Sequence, residues 1–572
     1  MRIIRLRLSR FRGFSDLDLY PPANVLLVGE PRAGRSTILD AIRRVLDAGS
    51  TRVRPSRWDI TLPSVDIEDG DIYPLTSVEA TLIDLDDEIE QLLDDRLEML
   101  DPTTGEPDDA ETDAVLGVRL RYCLQYTPAD DTLEHWVEYT RTGSRVPRAH
   151  RDALHAIVID RAAPLQLRVE GAFRNVAASQ DEERLLATLD AFEDGVRGAT
   201  GNLAASDAVS DALEAMTKQG AALALGVSKQ QFVEGVGFAA DDGSISGLLR
   251  AIQPTLSLDD AGALPLSSHG STTPSILAVT EAITARRFEH RIVIIDDFGD
   301  SMDSSSTDFV ARMLRRPGNQ VWLSTRRAEV IDAFSSEEIV RLTRAAGTNL
   351  IYQLDPRPDR SERRRRRHLA QILAPAMSAR TVAFVEGPHD LEGYAALDRK
   401  ALIEERKAPL SARGVQLIPA SMTGADGGNS RLVDLATLAR SLGYRVRVVL
   451  DSDKPGQDDD LIAELGELCE VVVILPARTA VERSLARGVA PSVLRTILGE
   501  LNREHGLGLT VDDITDDDLE KATVKQLKQK GGLHQAFVDL LPKGEFPAIA
   551  AAVLDALKSA PVEDSIVQIV EP

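Results

Sequence analysis

The chain has 572 residues, more than one hydrophobic core usually supports, so we expect two to four domains. Its content of 43% hydrophobic and 27% charged residues is typical of a globular protein, and no apolar run approaches the roughly 20 residues that a membrane-spanning helix needs. Two cysteines argue against a disulfide framework and a zinc site, and the formal net charge of −25 taken alone argues against nucleic-acid binding. We therefore expect a cytoplasmic protein with no membrane partner.

The N-terminal elements read as two strands, a glycine loop and a helix. Ile3–Leu8 alternates between apolar and polar residues, and Val25–Val28 is a buried-strand run. Thr37–Leu46 has the apolar spacing of a helix. Strand-like segments and acidic loops follow, and helical periods dominate residues 181–225, which we interpret as a helical insert with a possible role in dimerisation.

The loop between the second strand and the helix has the context of a phosphate-binding loop. It reads Gly-Glu-Pro-Arg-Ala-Gly-Arg-Ser-Thr from Gly29 to Thr37. In such a loop, backbone N–H groups and the helix N-terminus hold an anion. Arg35 stands where the usual pattern has Lys, and Ser36 would supply a hydroxyl to Mg²⁺. The alternative is a glycine turn that only connects strand and helix.

Three further segments resemble parts of an ATPase. Residues 292–295 form an apolar strand that ends in Asp296 and Asp297, like a Walker B strand. Leu-Ser-Ser-His-Gly-Ser at 266–271 resembles an ABC-type signature loop, and Arg326 follows the next strand, where such ATPases usually carry a His switch.

The order of these motifs resembles the ABC-type ATPase head of the SMC, RecF and OLD proteins. Lys is replaced by Arg35, Glu by Asp297 and His by Arg326, so the resemblance implies ATP binding with weak or absent hydrolysis. The residues that it assigns to nucleotide are Gly29, Gly34, Arg35, Ser36, Thr37, Ser268, Gly270, Asp296, Asp297 and Arg326.

An arginine-rich stretch separates the two halves of the chain. It contains five arginines in a row at 363–367, and we interpret residues 356–378 as a linker and domain boundary. Two interpretations are open for the run: a solvated linker or helix face, and a phosphate-binding patch. Beyond it, strands and helices alternate, which predicts a parallel sheet with a site at the carboxyl ends of its strands. From residue 481 the chain is predicted to be mostly helical.

Acidic residues follow two of these strands. Glu386 and Asp390 end the first apolar run, and Asp451 and Asp453 end another. Carboxylates at neighbouring strand ends repel each other unless a cation lies between them, and hard oxygen ligands suit Mg²⁺ or Mn²⁺. The alternatives are helix caps and a simple turn.

This pattern, a Glu after one strand and Asp-x-Asp after another, resembles a Toprim domain. Glu-Gly-x-x-Asp at 386–390 is also the form seen in OLD-family nucleases (overcoming lysogenization defect), and Glu482 stands where they carry a further acid. The resemblance implies that Glu386, Asp451 and Asp453 bind one metal, and that Asp390 and Glu482 bind a second.

A lysine near the C-terminus often assists such nucleases. Lys528, Lys530 and Lys543 are the candidates, with Lys530 as the working assignment. His389 is interpreted as a surface residue at a helix start, with a role at the site as the alternative.

The resemblance to the OLD family, which includes the large subunit of Gabija systems, covers nearly the whole chain. It implies an α/β multidomain protein: an ABC-type ATPase head at 1–355 with the helical insert, the linker, a Toprim domain at 379–480 and a helical tail at 481–572. The implied function is a DNA endonuclease with a two-metal site, regulated by nucleotide and active in anti-phage defence. The implied partners are DNA, a second copy of the chain and possibly a helicase-like protein.

Two other functions stay open at this point. One is a non-catalytic nucleotide sensor or scaffold with a vestigial Toprim site. The other is topoisomerase- or primase-like chemistry, against which stands the lack of a tyrosine context near the acids and of zinc-binding cysteines.

Overall fold

The computed structural model describes most of the chain: residues 1–47, 54–61, 73–108, 113–154, 156–159, 164–167, 172–218, 228–235, 249, 252–258, 262–284, 291–315, 317–355, 358–421, 429–451, 459–529, 531–559 and 565–570. The chain divides into two compact units, one formed by Met1–His155 with Gln320–Pro572 and the other by Ala156–Asn319. None of the helices in the described ranges is both long and apolar enough to cross a bilayer.

The strands are numbered in chain order: β1 (Arg2–Phe11), β2 (Phe14–Leu19), β3 (Val25–Gly29), β4 (Thr76–Ile83), β5 (Glu98–Leu100), β6 (Val115–Thr127), β7 (Thr132–Tyr139), β8 (Ile157–Ile159), β9 (Thr255–Leu256), β10 (Leu264–Pro265), β11 (Ile292–Ile295), β12 (Gln320–Ser324), β13 (Ile339–Ala345), β14 (Thr348–Gln353), β15 (Thr381–Val385), β16 (Val415–Pro419), β17 (Arg445–Leu450), β18 (Val471–Ile474) and β19 (Ile566–Gln568).

The helices are numbered in the same way: α1 (Arg35–Leu46), α2 (Asp87–Leu93), α3 (Arg148–Ala153), α4 (Ala172–Gln180), α5 (Glu182–Ala204), α6 (Asp207–Lys218), α7 (Lys229–Gly235), α8 (Thr272–Thr284), α9 (Ser304–Leu314), α10 (Arg360–Leu373), α11 (Pro388–Glu405), α12 (Asn429–Ser441), α13 (Asp459–Leu468), α14 (Val481–Ala486), α15 (Pro491–His505), α16 (Asp516–Gln529), α17 (Leu533–Leu540) and α18 (Ala548–Lys558).

The first unit begins with an antiparallel sheet. Its strands lie in the order β2-β1-β4-β6-β5, and β7 also pairs with β6. A second group of strands has β3 between β12 and β13, all parallel, with β14 antiparallel to β13. Every residue of β3 is buried, as is usual for a parallel strand covered on both faces. The glycine loop follows this central strand.

The C-terminal part of the first unit contains a parallel sheet in the order β16-β15-β17-β18-β19. Successive residues of a strand enter different cores, because side chains alternate between the two faces. In β15, Val382 and Phe384 belong to one hydrophobic cluster, whereas Ala383 and Val385 belong to the other. The strands and helices predicted for residues 382–475 are present, with bounds that differ by a few residues at most ends.

The predicted linker at 356–378 is wrong as a description of residues 360–373, which form helix α10. Asp359 caps this helix by accepting hydrogen bonds from two backbone N–H groups. One face carries Leu369, Ile372 and Leu373, which are buried in the core of the C-terminal sheet. The sequence pattern did not predict this helix, because the arginines dominate its first turns and only its last turn is hydrophobic.

The arginine run itself follows the helix-face interpretation. Arg363 Nε lies 2.8 Å from Glu337 Oε1, Arg366 Nε lies 2.8 Å from a carboxylate of its own helix, and Arg365 pairs with Asp434. A further arginine, Arg341, is fully buried and donates hydrogen bonds to two carbonyl oxygens beyond the predicted boundary, at 2.9 and 2.8 Å. Residues on both sides of that boundary therefore belong to one compact unit.

Among the described residues from 481 onward, the regular elements are helices except for β19, which the sequence analysis did not predict. β19 adds to the edge of the sheet, parallel to β18.

Within the second unit, β8 and β11 are parallel neighbours. Helices α5 and α6 occupy residues 182–204 and 207–218 of the predicted insert, and residues 219–225 of it lie outside the described ranges. Its role in dimerisation stays a prediction.

Candidate functional site

Glu386 and Asp451 lie at the carboxyl ends of neighbouring strands. Glu386 follows β15 directly and Asp451 follows β17 directly. The two strands are parallel, with Phe384 opposite Val448, so continuing this register brings both acids to the same edge of the sheet. Both residues are partly buried. Asp453 lies outside the described residues, so its place at this edge stays a prediction.

Asp390 lies in the first turn of α11 and is 6% exposed. Its Oδ2 accepts a hydrogen bond of 2.9 Å from the backbone N–H of Gly387, so the helix-cap interpretation holds for one of its oxygens. Burial raises the pKa of Asp390 to about 7; the Gly387 N–H opposes this, and the charges of Glu386 and Glu482 reinforce it. The ionised form of this carboxyl is therefore disfavoured unless a cation lies beside it.

Glu482 begins α14, shortly after β18, and is 5% exposed. Burial alone would raise the pKa of this carboxyl, but it lies below its ordinary value because His534 and the Lys528 ammonium face it. Its Oε2 has no hydrogen-bond partner among the described residues, although the Lys528 ammonium is 3.9 Å away. Glu386, Asp390, Asp451 and Glu482 are called the carboxylate cluster below.

Tyr394 is close enough to the carboxylate cluster for the cluster's charges to act on its phenol. It lies one helical turn beyond Asp390 on α11 and is fully buried. Burial raises the pKa of its phenol, and the negative charges of Asp390 and Asp451 raise it further. Sequence reasoning missed Tyr394, although its spacing of four residues from Asp390 on a predicted helix was a usable signal.

Two histidines also meet at Glu482. His389 Nδ1 lies 3.8 Å and His534 Nε2 lies 3.7 Å from Glu482 Oε1. The side chain of His389 is 39% exposed, so this residue is partly buried beside Glu482 and does not lie fully on the surface. His534 is fully buried. His534 was not predicted, because nothing near it in the sequence points to the sheet edge.

The candidate lysines are in different places. Lys528 Nζ is 3.9 Å from Glu482 Oε2 and its side chain is half exposed. Lys543 is exposed and acts on Glu404, a carboxyl outside the cluster. Lys530, the working assignment, lies outside the described residues. Among the described lysines, Lys528 is therefore the one placed to assist at the cluster.

The N-terminal loop has the backbone of an anion-binding turn. Gly29 has φ 138°, and a Cβ there would lie 2.0 Å from a backbone carbonyl oxygen of β13. Gly34 has φ 98° and precedes the first residue of α1. Ser36 and Thr37 lie in that first turn. The helix N-terminus can therefore present N–H groups to a phosphate.

Arg35 differs from the lysine expected in such a loop. Its Nη1 donates a hydrogen bond of 2.7 Å to the backbone carbonyl of Thr325, just after β12. Arg326, the residue at the predicted switch position, comes next in the chain and is exposed. The guanidinium is thus held by the protein at the end of a neighbouring strand.

The other predicted nucleotide residues belong to the second unit. Asp296 accepts a hydrogen bond of 3.0 Å from the backbone N–H of Asp297, whose φ is 47°. Ser268 ends a short 3-10 helix, and Gly270 follows with φ 70°. Their assembly with the glycine loop into one nucleotide site stays a prediction.

No protein-family model matches the sequence, and no curated protein matches it. Among solved structures, the chain is similar to an SMC head bound to the C-winged helix domain of ScpA, with 13% identity over 62% of this chain and 98% of that chain, at a TM-score of 0.35. It is also similar to the SMC head domain from Thermotoga maritima, with 12% identity over 62% of this chain and 100% of that chain, at a TM-score of 0.28. A likeness at these TM-scores carries no argument, so the function is argued from the residues.

Proposed function

We propose that the chain is a metal-dependent DNA endonuclease of OLD type, with its chemistry at the carboxylate cluster. The observation that carries this proposal is the crowding of carboxylates around Asp390, whose pKa burial and the charges of Glu386 and Glu482 raise to about 7. Such crowding is unfavourable in the protein alone and favourable around cations.

The donor set fits hard divalent cations. It consists of carboxylate oxygens, and one of them, Glu482 Oε2, is buried without a hydrogen-bond partner among the described residues. Glu386 and Asp451, with Asp453, would hold one Mg²⁺ or Mn²⁺, and Asp390 with Glu482 would hold a second. Two such ions supply charge stabilisation to the attacking and leaving oxygens of a phosphodiester.

The protein's own groups add to this. The Lys528 ammonium, close to Glu482 and half exposed, can approach a phosphate or a leaving oxygen. The Gly387 N–H holds one Asp390 oxygen, and the other oxygen would serve as the metal ligand. The Tyr394 phenol is fully buried and feels the charges of Asp390 and Asp451, so it adds an apolar ring to the surroundings of these carboxylates.

The proposal assigns a regulatory role to the N-terminal half. The loop Gly29–Thr37 would bind ATP, and hydrolysis would be weak or absent because Arg35 is held by the Thr325 carbonyl instead of offering a compact ammonium. A second copy of the chain, a helicase-like partner and a role in anti-phage defence belong to the same proposal and rest on the motif resemblance alone.

Nicking of supercoiled plasmid DNA tests the nuclease, with Mg²⁺ or Mn²⁺ and with or without ATP. Glu386→Gln and Asp451→Asn should abolish nicking, because each removes a charged ligand. Asp434→Asn is the matched control, since this acid pairs with Arg365 and lies outside the cluster. Cleavage that survives both cluster substitutions would contradict the proposal. A relaxed, religated product would favour topoisomerase chemistry, and no cleavage by the folded protein would favour the scaffold.

A further inference from the structure

A second kind of cation site lies beside the carboxylate cluster. His389, Glu482 and His534, called here the His–Glu–His cluster, each offer one ligand atom, and these atoms all lie within 4.8 Å of one another. We propose that the His–Glu–His cluster binds one divalent transition metal of the zinc type, in preference to Mg²⁺. This metal goes beyond the two hard cations of the proposed nuclease, although it shares Glu482 with them.

The state of His534 is the first support. Its side chain is fully buried, and neither ring nitrogen has a hydrogen-bond partner among the described residues. A buried polar group left unpaired costs about 1–3 kcal/mol. The nearest acceptor, Glu482 Oε1, is 3.7 Å from Nε2, which is too long for a hydrogen bond. A metal ion between them would satisfy both groups.

Two of the three ligand–ligand distances need only a small adjustment, and the third, between the two histidines, lies within 4.8 Å. With metal–ligand bonds of about 2.0–2.1 Å and tetrahedral angles, ligand atoms stand roughly 3.3 Å apart. The two Glu482–histidine separations are 3.8 and 3.7 Å, so they shorten by roughly half an ångström on binding. The partly exposed side chain of His389 leaves access for a water molecule as fourth ligand.

Glu392 faces the opposite ring nitrogen of His534, the one through which metal-bound histidines usually donate a hydrogen bond, although the separation is beyond hydrogen-bond distance. Its Oε2 lies 3.9 Å from Nδ1 of His534. The carboxylate is itself held by the backbone N–H groups of Gly532, at 3.2 Å, and Gln535, at 3.1 Å. Nδ1 of His534 therefore points towards a fixed acceptor, and Nε2 towards Glu482 and the metal position.

The fold brings the ligands together from separate elements. His389 and Glu392 lie one turn apart on α11, Glu482 opens α14, and His534 lies at the start of α17. The two imidazole rings are 4.7 Å apart between centroids, with an angle of 33° between their planes. Two imidazole nitrogens with one carboxylate favour zinc-type ions, whereas Mg²⁺ prefers oxygen ligands. The cysteine count argued against a zinc site of any kind, and this proposal departs from that expectation because its ligands are imidazole and carboxylate rather than thiolate.

The Lys528 ammonium is the competing cation. It lies 3.9 Å from Glu482 Oε2, whereas both histidines face Oε1, so it neutralises the carboxylate without occupying the position between the imidazoles. Its half-exposed side chain can move into solvent when a metal binds.

Metal binding to the full-length protein tests the proposal. Zn²⁺ and Mg²⁺ are titrated by calorimetry, and bound zinc is counted by mass spectrometry after dialysis. His389→Ala and His534→Gln should each remove one zinc per chain or weaken its binding at least tenfold. His505→Ala, a substitution of an exposed histidine, should change nothing. Co²⁺ absorption of the wild type should show nitrogen ligation that both cluster variants lose.

Asp451→Asn separates this site from the proposed nuclease. This variant should keep the histidine-dependent zinc even if it loses nicking and other cations, and a failure of the nuclease proposal would leave this result unchanged. His389 is partly exposed, so the His389→Ala variant should fold. If this variant binds zinc with unchanged stoichiometry and affinity, the proposal is overturned. Zinc binding that Asp451→Asn abolishes while His389→Ala keeps it would also overturn it.

Discussion

Replacing Asp390 by Asn should stabilise the protein at pH 8 in the absence of divalent cations. The carboxyl is 6% exposed, and the charges of Glu386 and Glu482 act on it. Asn has nearly the same shape and can still accept the Gly387 N–H hydrogen bond. The substitution therefore removes the cost of a buried, crowded charge and keeps the helix cap.

The size of the effect follows from the pKa of Asp390. Burial, and then the neighbouring charges, raise it from 3.8 to about 7. A folded-state pKa above the unfolded value gives stability that is fully present below pH 3.8 and is lost as the pH rises to about 7. The loss corresponds to roughly 4 kcal/mol, at about 1.36 kcal/mol for each pKa unit. Asp390→Asn carries no charge at this position, so its stability does not fall with pH in this way.

Thermal and chemical unfolding in EDTA, between pH 4 and pH 8, measures the difference. The advantage of Asp390→Asn should grow with pH, and Mg²⁺ should reduce it by stabilising the wild type. Asp398→Asn is the matched control on the same helix: Asp398 is also buried but lies 2.6 Å from Lys558 Nζ, so its loss should destabilise by about 3 kcal/mol. If Asp390→Asn is less stable than the wild type at pH 8, the reasoning is refuted.

Three further predictions concern the rest of the first unit and the nucleotide loop. The Arg35→Lys/Asp297→Glu variant should release phosphate from ATP much faster than the wild type, and brisk wild-type turnover would contradict this. Arg341→Lys should lower the free energy of unfolding by about 2–3 kcal/mol. The reason is that Lys cannot both donate hydrogen bonds to two carbonyl oxygens and lie 3.5 Å over the Tyr444 ring. An unchanged denaturation midpoint would contradict this prediction. Gly29→Ala should lower both the melting temperature and ATP binding, since its Cβ would lie 2.0 Å from a backbone oxygen at φ 138°; normal values of both would show that the loop adapts.

The elements of the C-terminal sheet other than β19 were predictable because they have strong local patterns. Buried parallel strands are short β-branched runs, such as Arg445–Leu450, and the helices between them have apolar spacing. The acids after β15 and β17 were predictable for the same reason, since parallel strands end at one edge. The arginine run misled the prediction at 356–378, because its charge outweighed the three apolar residues that anchor the helix.

The sequence by itself determined the strands, the glycine loop and the acids at the strand ends, because these depend on neighbours within a few residues. Only the tertiary structure decided what surrounds them. His534 reaches Glu482 across 52 positions of chain and Arg341 reaches the Leu442 carbonyl across 101, and no local pattern encodes such pairs. The raised pKa of Asp390 is likewise a property of burial and of the charges of Glu386 and Glu482, which come from two segments. Burial and the distances between these charges depend on packing, which forms only when the whole sheet and its helices are assembled.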